Sequence, residues 1–486
     1  MEKVLPKGWV KTEFANLIAH VIGGDWGKHS DVEDENFVEV YCIRGSEIKN
    51  WNTNFGDTSV VRKIKKSSLN SRRLINGDIL LEISGGGPDQ PVGRVVLITQ
   101  NTFDRLPELP VVCTNFLRLI RPVSQINSNY FCLYLEYFYY SGEVVKYQGG
   151  SNNLRNLKYK EYETIQIPLP PLAEQERIVA KLDKLFTQHE KIKKALDHIP
   201  QLLKNFRQQV LSQAVTGKLT EQWREGKELQ IDYKSIDDYL KKFKRFRAIG
   251  QNAEANDIPT TWHNVKLGNV SYISNGSTPS RRIKEYWDGN IAWIGSGQIQ
   301  NNKIRLAKEF ITNKGLANSS TRILPKGTVL IAMIGEGKTR AQSSILEIQA
   351  TINQNVASIE IGHNQIVPEY LQYFLIKNYE FHRAIGNGTG PKALNCQKVK
   401  EFDFQLPPLQ EQCEIVHRVE SLFAKADTIE SRYQRLKAKI DNLPQAILHK
   451  AFKGELVPQL PTDGNAKDLL SEIMALKEEV NGRKKR

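Results

Sequence analysis

The chain has 486 residues, 40% of them hydrophobic and 25% charged, with a formal net charge of +14. That length is too great for one core and suggests about three folded units, and the composition is that of an ordinary folded protein rather than a disordered or membrane-embedded one. The opening MEKVLPKGWV lacks the apolar stretch of a signal peptide and no run of 18 apolar residues occurs; neither export nor a membrane span is indicated, and the expected location is the cytoplasm.

Taken in chain order, residues 1–170 carry 20 basic and 19 acidic side chains, yet Arg62, Lys63, Lys65, Lys66, Arg72 and Arg73 lie together with no acid between them. A solvated loop and a phosphate contact both fit such a run. DILLEIS (78–84) and GRVVLIT (93–99) read as strands, and YFCLYLEYFYY (130–140) as a helix whose aromatics pack on them. Pro170-Pro171 then opens a helix with apolar residues in steps of four and three: Ile178, Leu182, Leu185, His189, Ile192, Leu196, Ile199, Leu203, Phe206 and Val210. Beyond residue 251, GTVLIAMIG (327–335) and NVASIEI (355–361) read as strands and YLQYFLIKNYEFHRAI (370–385) as helical. Pro407-Pro408 opens a second helix with the seam Ile415, Val419, Leu422, Ala426, Ile429, Tyr433, Leu436, Ile440, Leu443 and Ile447. Pro200 and Pro444 fall inside these helical runs, where each is expected to kink the helix or divide it.

The two halves repeat. LPPLAEQERIVAKLDKLF (169–186) returns as LPPLQEQCEIVHRVESLF (406–423) at an offset of 237, which carries Gln208, Ala214, Gly217 and Leu219 onto Gln445, Ala451, Gly454 and Leu456. Trp9 matches Trp262, and NGDILLEISGGG (76–87) resembles KGTVLIAMIGEG (326–337). Two matching helices in one chain bury both seams most economically as an antiparallel coiled coil, with intermolecular pairing as the alternative. The expected fold is α+β: two mixed α/β domains in tandem, separated by two long helices forming that coiled coil. The corresponding segments are 1–170, a central helical region 171–250, 251–407, a distal helical region 408–460 and a C-terminal tail 461–486.

Catalytic signatures are missing. The five cysteines are scattered, with no CxxC pair and no nearby histidines at ligand spacing, so no metal is expected. AMIGEGKT (332–339) fits a loose phosphate-loop pattern, but the short RAQSS stretch (340–344) and the strand-like residues after it leave too little room for the helix whose N-terminus must face the phosphates; a glycine-rich loop between strands fits instead. Pro88-Asp89 lacks the second half of a nuclease motif, and no methyltransferase motif appears.

The duplicated PLPPLAEQERIVAKLD and QLPPLQEQCEIVHRVESLF, with VTGKLTEQWR (215–224) and FKGELV (452–457), resemble the specificity (S) subunit of type I restriction-modification enzymes over essentially the whole chain. IPQLLKNFRQQVLSQAVTGKLTEQWR (199–224) is similar to the central helices of the K-12-type group, family A. The resemblance implies a non-catalytic subunit binding double-stranded DNA, in which each target-recognition domain reads one half of a split, asymmetric target and the helices set the spacer. It implies two modification (methyltransferase) and two restriction (translocase/nuclease) subunits as partners, which use S-adenosylmethionine, ATP and Mg2+; this subunit needs no cofactor. A coiled-coil scaffold for protein partners and an NTPase using 332–339 are the alternatives.

Loop chemistry supplies candidate DNA contacts. In the second domain these are Ser277, Thr278, Ser280, Arg281 and Arg282, followed by Trp293, Ser296 and Gln298. Asn387, Thr389 and Lys392 in GNGTGPKAL are matched in the first half by Ser151, Asn152, Asn153 and Arg155 in GGSNNLRNL. Lys28, Arg44, Arg62, Lys63, Lys65, Lys66 and Ser84 complete the set in the first domain. Glu174, Gln175, Glu411 and Gln412 are expected to be exposed docking points for two copies of one partner, and Gly217 to mark a junction of the spacer-setting helices.

Overall fold

The structure, a computed structural model, describes residues 5–87, 90–151, 154–244, 258–385 and 393–484. The chain forms two compact units, Met1–Asp197 together with Arg435–Arg486, and His198–Gln434.

In the first unit a four-stranded antiparallel sheet runs in the order Ile18–Gly23, Leu117–Pro122, Ile79–Glu82, Val95–Leu97. All of Ile79–Glu82 is buried, because both faces of the sheet are covered. Ile79, Leu81 and Ile120 join a core with the helix Ser128–Tyr140, while Leu80, Val96 and Leu119 face a second core with Ile43 and Trp51. Period-2 alternation delivers each strand to both cores, so the sequence reads as a continuous apolar run. A second sheet has Phe37–Ile43 between antiparallel Val60–Lys65 and parallel Val111–Cys113.

The second unit repeats this plan. Tyr272–Asn275, Val356–Glu360, Val329–Ala332 and Ser343–Leu346 form the equivalent sheet, extended by Lys303–Ile304, and Trp287–Ile294 lies between antiparallel Glu309–Ile311 and parallel Thr351–Ile352. Leu80 pairs with Leu119 and Leu330 with Ser358, so the match of 76–87 to 326–337 holds in register. Val329–Ala332 returns directly through antiparallel Ser343–Leu346, and no helix follows the GEGKT segment.

Five further helices are, in chain order, α1 (Leu172–Asp197), α2 (Ile199–Val215), α3 (Tyr233–Lys241), α4 (Leu409–Phe452) and α5 (Ala466–Lys484). None is long and apolar enough to cross a membrane among the described residues. In the first unit α1 pairs antiparallel with the end of α4: the His189 ring meets the Ile440 carbonyl at 2.9 Å and Lys437 meets Asp197 at 3.7 Å. In the second unit α2 pairs with the beginning of α4, where Arg207 reaches Asp427 (2.7 Å) and Glu430 (2.8 Å). Most expected seam positions are buried or half-buried, but Ile192 (44% exposed), Ile429 (50%) and Leu436 (45%) are not.

The two prolines behave differently. Pro200 lies in the first turn of α2, just past the break that ends α1 at Asp197, whereas Pro444 sits inside a continuous α4. Pro444 has no N–H for the carbonyl four residues back, which is that of Ile440. His189 Nε2 takes its place, so the imidazole donates through Nε2 and closes the gap. Replacing His189 by Leu leaves this buried acceptor without a partner and is expected to cost about 1–3 kcal/mol. Combining it with Pro444→Ala, which restores the helical N–H, should recover much of that loss; equal losses in both backgrounds, by denaturant unfolding, would refute the compensation.

Residues 461–486, expected as a tail, include α5, whose Ala466 and Ile473 are fully buried in the first core. Ile236 of α3 holds the equivalent place in the second, again 237 residues earlier. Each helical repeat ends on a left-handed glycine, Gly217 (φ +74°) and Gly454 (φ +73°), with Pro259 and Pro6 packed where a Cβ would stand.

Candidate nucleic-acid interface

Each unit fastens its sheets to its helices through one repeated device. The Trp9 indole donates to Glu174 at 3.0 Å and Trp262 to Glu411 at 2.8 Å. The next residues bridge in the same way: Gln175 accepts from the Asn127 amide and donates to the Pro170 carbonyl, while Gln412 accepts from Val367 and donates to Pro407. All four acidic and amide side chains are buried, at 1% exposure or less. This corrects the expectation that Glu174, Gln175, Glu411 and Gln412 are exposed docking points: they are internal fasteners. The two copies differ in what else reaches them. Glu411 also accepts from Thr220 (2.7 Å) and from Arg224, whereas one oxygen of Glu174 has no hydrogen-bond partner among the described residues.

The basic run of the first unit divides by partner. Arg44 is bound to buried Glu47 and to the Thr58 carbonyl. Arg62 donates to the Trp26 carbonyl and lies 4.3 Å from the Trp26 ring, and Lys63 donates to the Val32 carbonyl. Lys28 pairs through its backbone with Lys63 and stands over the Phe37 ring, itself exposed. Lys65 and Lys66, where a strand passes into the helix Lys66–Arg72, are exposed and carry no side-chain partner among the described residues. Ser84, Ser151 and Arg155 come together in one small sheet, Gln148–Ser151, Leu154–Leu157 and Ser84–Gly86. Asn152, Asn153, Asn387, Thr389 and Lys392 lie outside the described residues, as do Pro88 and Asp89.

In the second unit the loop is braced from below. Trp293 is buried and donates to the Ser277 carbonyl, and Trp287 donates to that of Ser280. Arg281 stacks on Trp287 at 3.7 Å and pairs with Glu309, while neighbouring Arg282 is exposed with no partner among the described residues. Thr278 donates to Gln354 at 2.5 Å. Gln298 pins the 306–308 segment through the Leu306 carbonyl and the Lys308 amide, and Ser296 shares its short turn.

Sequence reading missed the cleft beside Ser84. About 730 Å³ in volume, it is lined by Trp26, Lys49, Gly85, Asn115 and Phe116, with the ion pair of buried Glu82 and half-buried Arg94 (2.5 Å) among its walls. Its aromatics are scattered singly along the sequence, so no local pattern marks them. Among the described residues no group of three or more His, Cys, Asp or Glu side chains could hold a metal ion.

The sequence profile of the family described as Type I restriction modification DNA specificity domain matches residues 6–201 and 259–438. The chain is 27% identical over 498 residues to the EcoKI specificity subunit of Escherichia coli (strain K12), covering 99% of this chain and 98% of that one. It is 32% identical over 358 residues to the EcoBI specificity subunit of Escherichia coli, 69% of each. Its fold is similar to the HsdS subunit from Thermoanaerobacter tengcongensis (TM-score 0.60, 17% identity, 93% of this chain and 99% of that one). A chain from a type I R-M system solved for its complex assembly and conformational transition gives a TM-score of 0.58 at 16% identity, covering 93% and 100%. Two copies of one domain, each fastened by the same Trp–Glu pair to a helix of the same repeat, coincide with the two stretches that the profile matches: the chain belongs to the type I restriction-modification DNA specificity family.

Proposed function

We propose that this chain is the non-catalytic, DNA-reading subunit of a type I restriction-modification complex, with each recognition domain addressing one half of a bipartite, asymmetric target. The observation that carries this reading is one scaffold present twice with different side chains on its equivalent loops, such as Lys28 between Ile18–Gly23 and Phe37–Ile43 in one unit and Arg281 and Arg282 between Tyr272–Asn275 and Trp287–Ile294 in the other. Shared backbone suits a shared task, and unlike loops suit unlike half-sites. On this reading the paired helices set the unread spacer, and two modification subunits and two restriction subunits assemble on the chain in the cytoplasm. They carry the methyltransferase, ATP-driven and nuclease chemistry with S-adenosylmethionine, ATP and Mg2+, and this chain supplies the address.

Expression with a modification partner, followed by methylation mapping, tests it. The expected map is one target of two specified parts around a fixed unspecified spacer; a single continuous target, or none with the complex assembled, counts against it.

The two neighbouring arginines should behave differently. Arg281, held by Trp287 and Glu309, presents a fixed guanidinium suited to a guanine edge, and Arg281→Ala is expected to relax one base position by about 1–3 kcal/mol. Free Arg282 suits a phosphate: Arg282→Ala should weaken all sequences alike and lower the salt slope by about one. Binding titrations over several salt concentrations separate the two.

A further inference from the structure

One turn has the same hydrogen-bond pattern in both units and carries unlike residues at its tip. The chain leaves the smaller sheet at Cys113 and enters the larger at Leu117; in the second unit it does so between Ile352 and Val356. The Thr114 amide bonds the Ile43 carbonyl at 2.9 Å and the Asn353 amide the Ile294 carbonyl at 3.1 Å. Leu117 closes onto Thr114 and Val356 onto Asn353, and the side chains of Thr114 and Asn353 each cap the amide two residues on, at 3.3 and 3.0 Å. A glycine backs each turn: a Cβ on Gly24 would stand 2.1 Å from the Thr114 carbonyl, and one on Gly276 1.9 Å from that of Ile352. Hydrogen bonds on one side and close glycine packing on the other hold the base of each tip. Asn115 and Phe116 occupy one tip and Gln354 and Asn355 the other; all but half-buried Asn355 are exposed.

These tips resemble recognition elements rather than packing elements. Neither Asn115 nor Asn355 has a side-chain partner among the described residues, and Phe116 is 49% exposed beside the 39%-exposed Trp26 on one cleft. The second tip opens on a cleft of about 550 Å³ lined by further amides, Asn275, Asn395 and Gln397. Thr278 occupies one lone pair of the Gln354 oxygen, and its N–H groups and second lone pair have no partner among the described residues.

We propose that the two turns are base-reading tips, and that their unlike side chains help to make the two half-sites unlike. This rests on the reading of the chain as a bipartite DNA reader. Phe116 offers an apolar surface matched to a thymine methyl, and the Gln354 amide a donor and acceptor matched to N7 and N6 of adenine in the major groove. A rigid turn on the scaffold gives such contacts the fixed geometry that base discrimination needs.

The test uses the chain assembled with its modification partner and maps methylation. Phe116→Ala is expected to relax one position of one half-site, and Gln354→Ala one position of the other, each by on the order of tenfold or more. Gln354→Glu, which keeps an acceptor and loses the donor, should move the preference at that position from adenine toward cytosine. Because these side chains are exposed, the melting temperature should not change, which separates recognition from misfolding. Base preference unchanged at every position overturns the proposal, and so does uniform weakening on all sequences, which assigns the tips to phosphates. A wild-type map without two parts would instead remove the reading beneath it, whereas a two-part wild-type map with unaltered variants removes only the tips.

Discussion

Replacing Glu411 by alanine is expected to destabilise the second unit by about 3–5 kcal/mol, the cost of breaking a buried ion pair from one side. Its carboxylate accepts from the Trp262 indole, the Thr220 hydroxyl and Arg224, whose side chain is only 16% exposed, and all three would be left facing a cavity. Glu411→Gln should also be costly, because Arg224 loses its countercharge. The equivalent Glu174 should behave in the opposite way. One of its oxygens has no hydrogen-bond partner among the described residues, and Arg177 beside it is committed to Asp463. Burial raises the Glu174 carboxyl above its ordinary value, an effect that the Trp9 hydrogen bond only partly offsets. A proton bound more tightly in the folded state makes stability fall as pH rises from the unfolded value through the folded one. Glu174→Gln removes that dependence and is expected to be neutral or stabilising near neutral pH. Unfolding of both variants from about pH 4 to pH 8 gives the comparison; equal losses for the two glutamines would mean that the copies are equivalent after all.

The sequence reveals the repeat and the central strands because both depend on local pattern. An offset of 237 links the helical repeats as far as Ile236 and Ile473, and the buried strands at 79–82 and 329–332 stand out as short apolar runs. The fasteners are misread because polarity at the first turn of a helix ordinarily means solvent. Nothing near Glu174 in sequence discloses that an indole 165 residues away reaches it. The repetition of Trp9 with Trp262 and of Glu174 with Glu411 is the signal that could have joined them. The tips escape for another reason. In strand register Leu119 corresponds to Ser358, an offset of 239 rather than the 250 of the preceding strand or the 237 of the helices. Loops of unequal length therefore hide the equivalence of Asn115–Phe116 and Gln354–Asn355 until strand pairing reveals it. Heptad reading likewise overruns: Ile192 and Ile429, equivalent in the repeat, keep the seam's period yet stay exposed, since periodicity states which face a residue takes and not whether a partner side chain stands opposite.

Matched insertions of four residues after Asp197 and after Gln434 are expected to lengthen the spacer of the recognised target while leaving both half-sites unchanged. The chain passes between its compact units at these two points. Gly217, the junction suggested by the sequence, lies within the second unit against Pro259, so lengthening the chain there should disturb that unit's packing and leave the spacer as it was. If the helices measure the spacer, both strands of an antiparallel pair must grow together, because growth of one alone bulges out. Four residues add about 6 Å and turn a helix by a net angle of about 40°. One base pair adds about 3.4 Å and turns the duplex by about 34°. Rise favours two added base pairs and rotation favours one, so methylation should move to a spacer longer by one or two and leave the original. A seven-residue insertion keeps the heptad seam better but poses a harder problem. It adds about 10.5 Å with a drift of only about 20°, whereas three base pairs covering that distance turn by about 100°. The heptad variant should therefore methylate far more weakly at any spacer than the four-residue variant, even if it folds more stably. Equal activity of the two would mean that rotation is absorbed elsewhere, and an unchanged spacer in both would show that the helices do not set it.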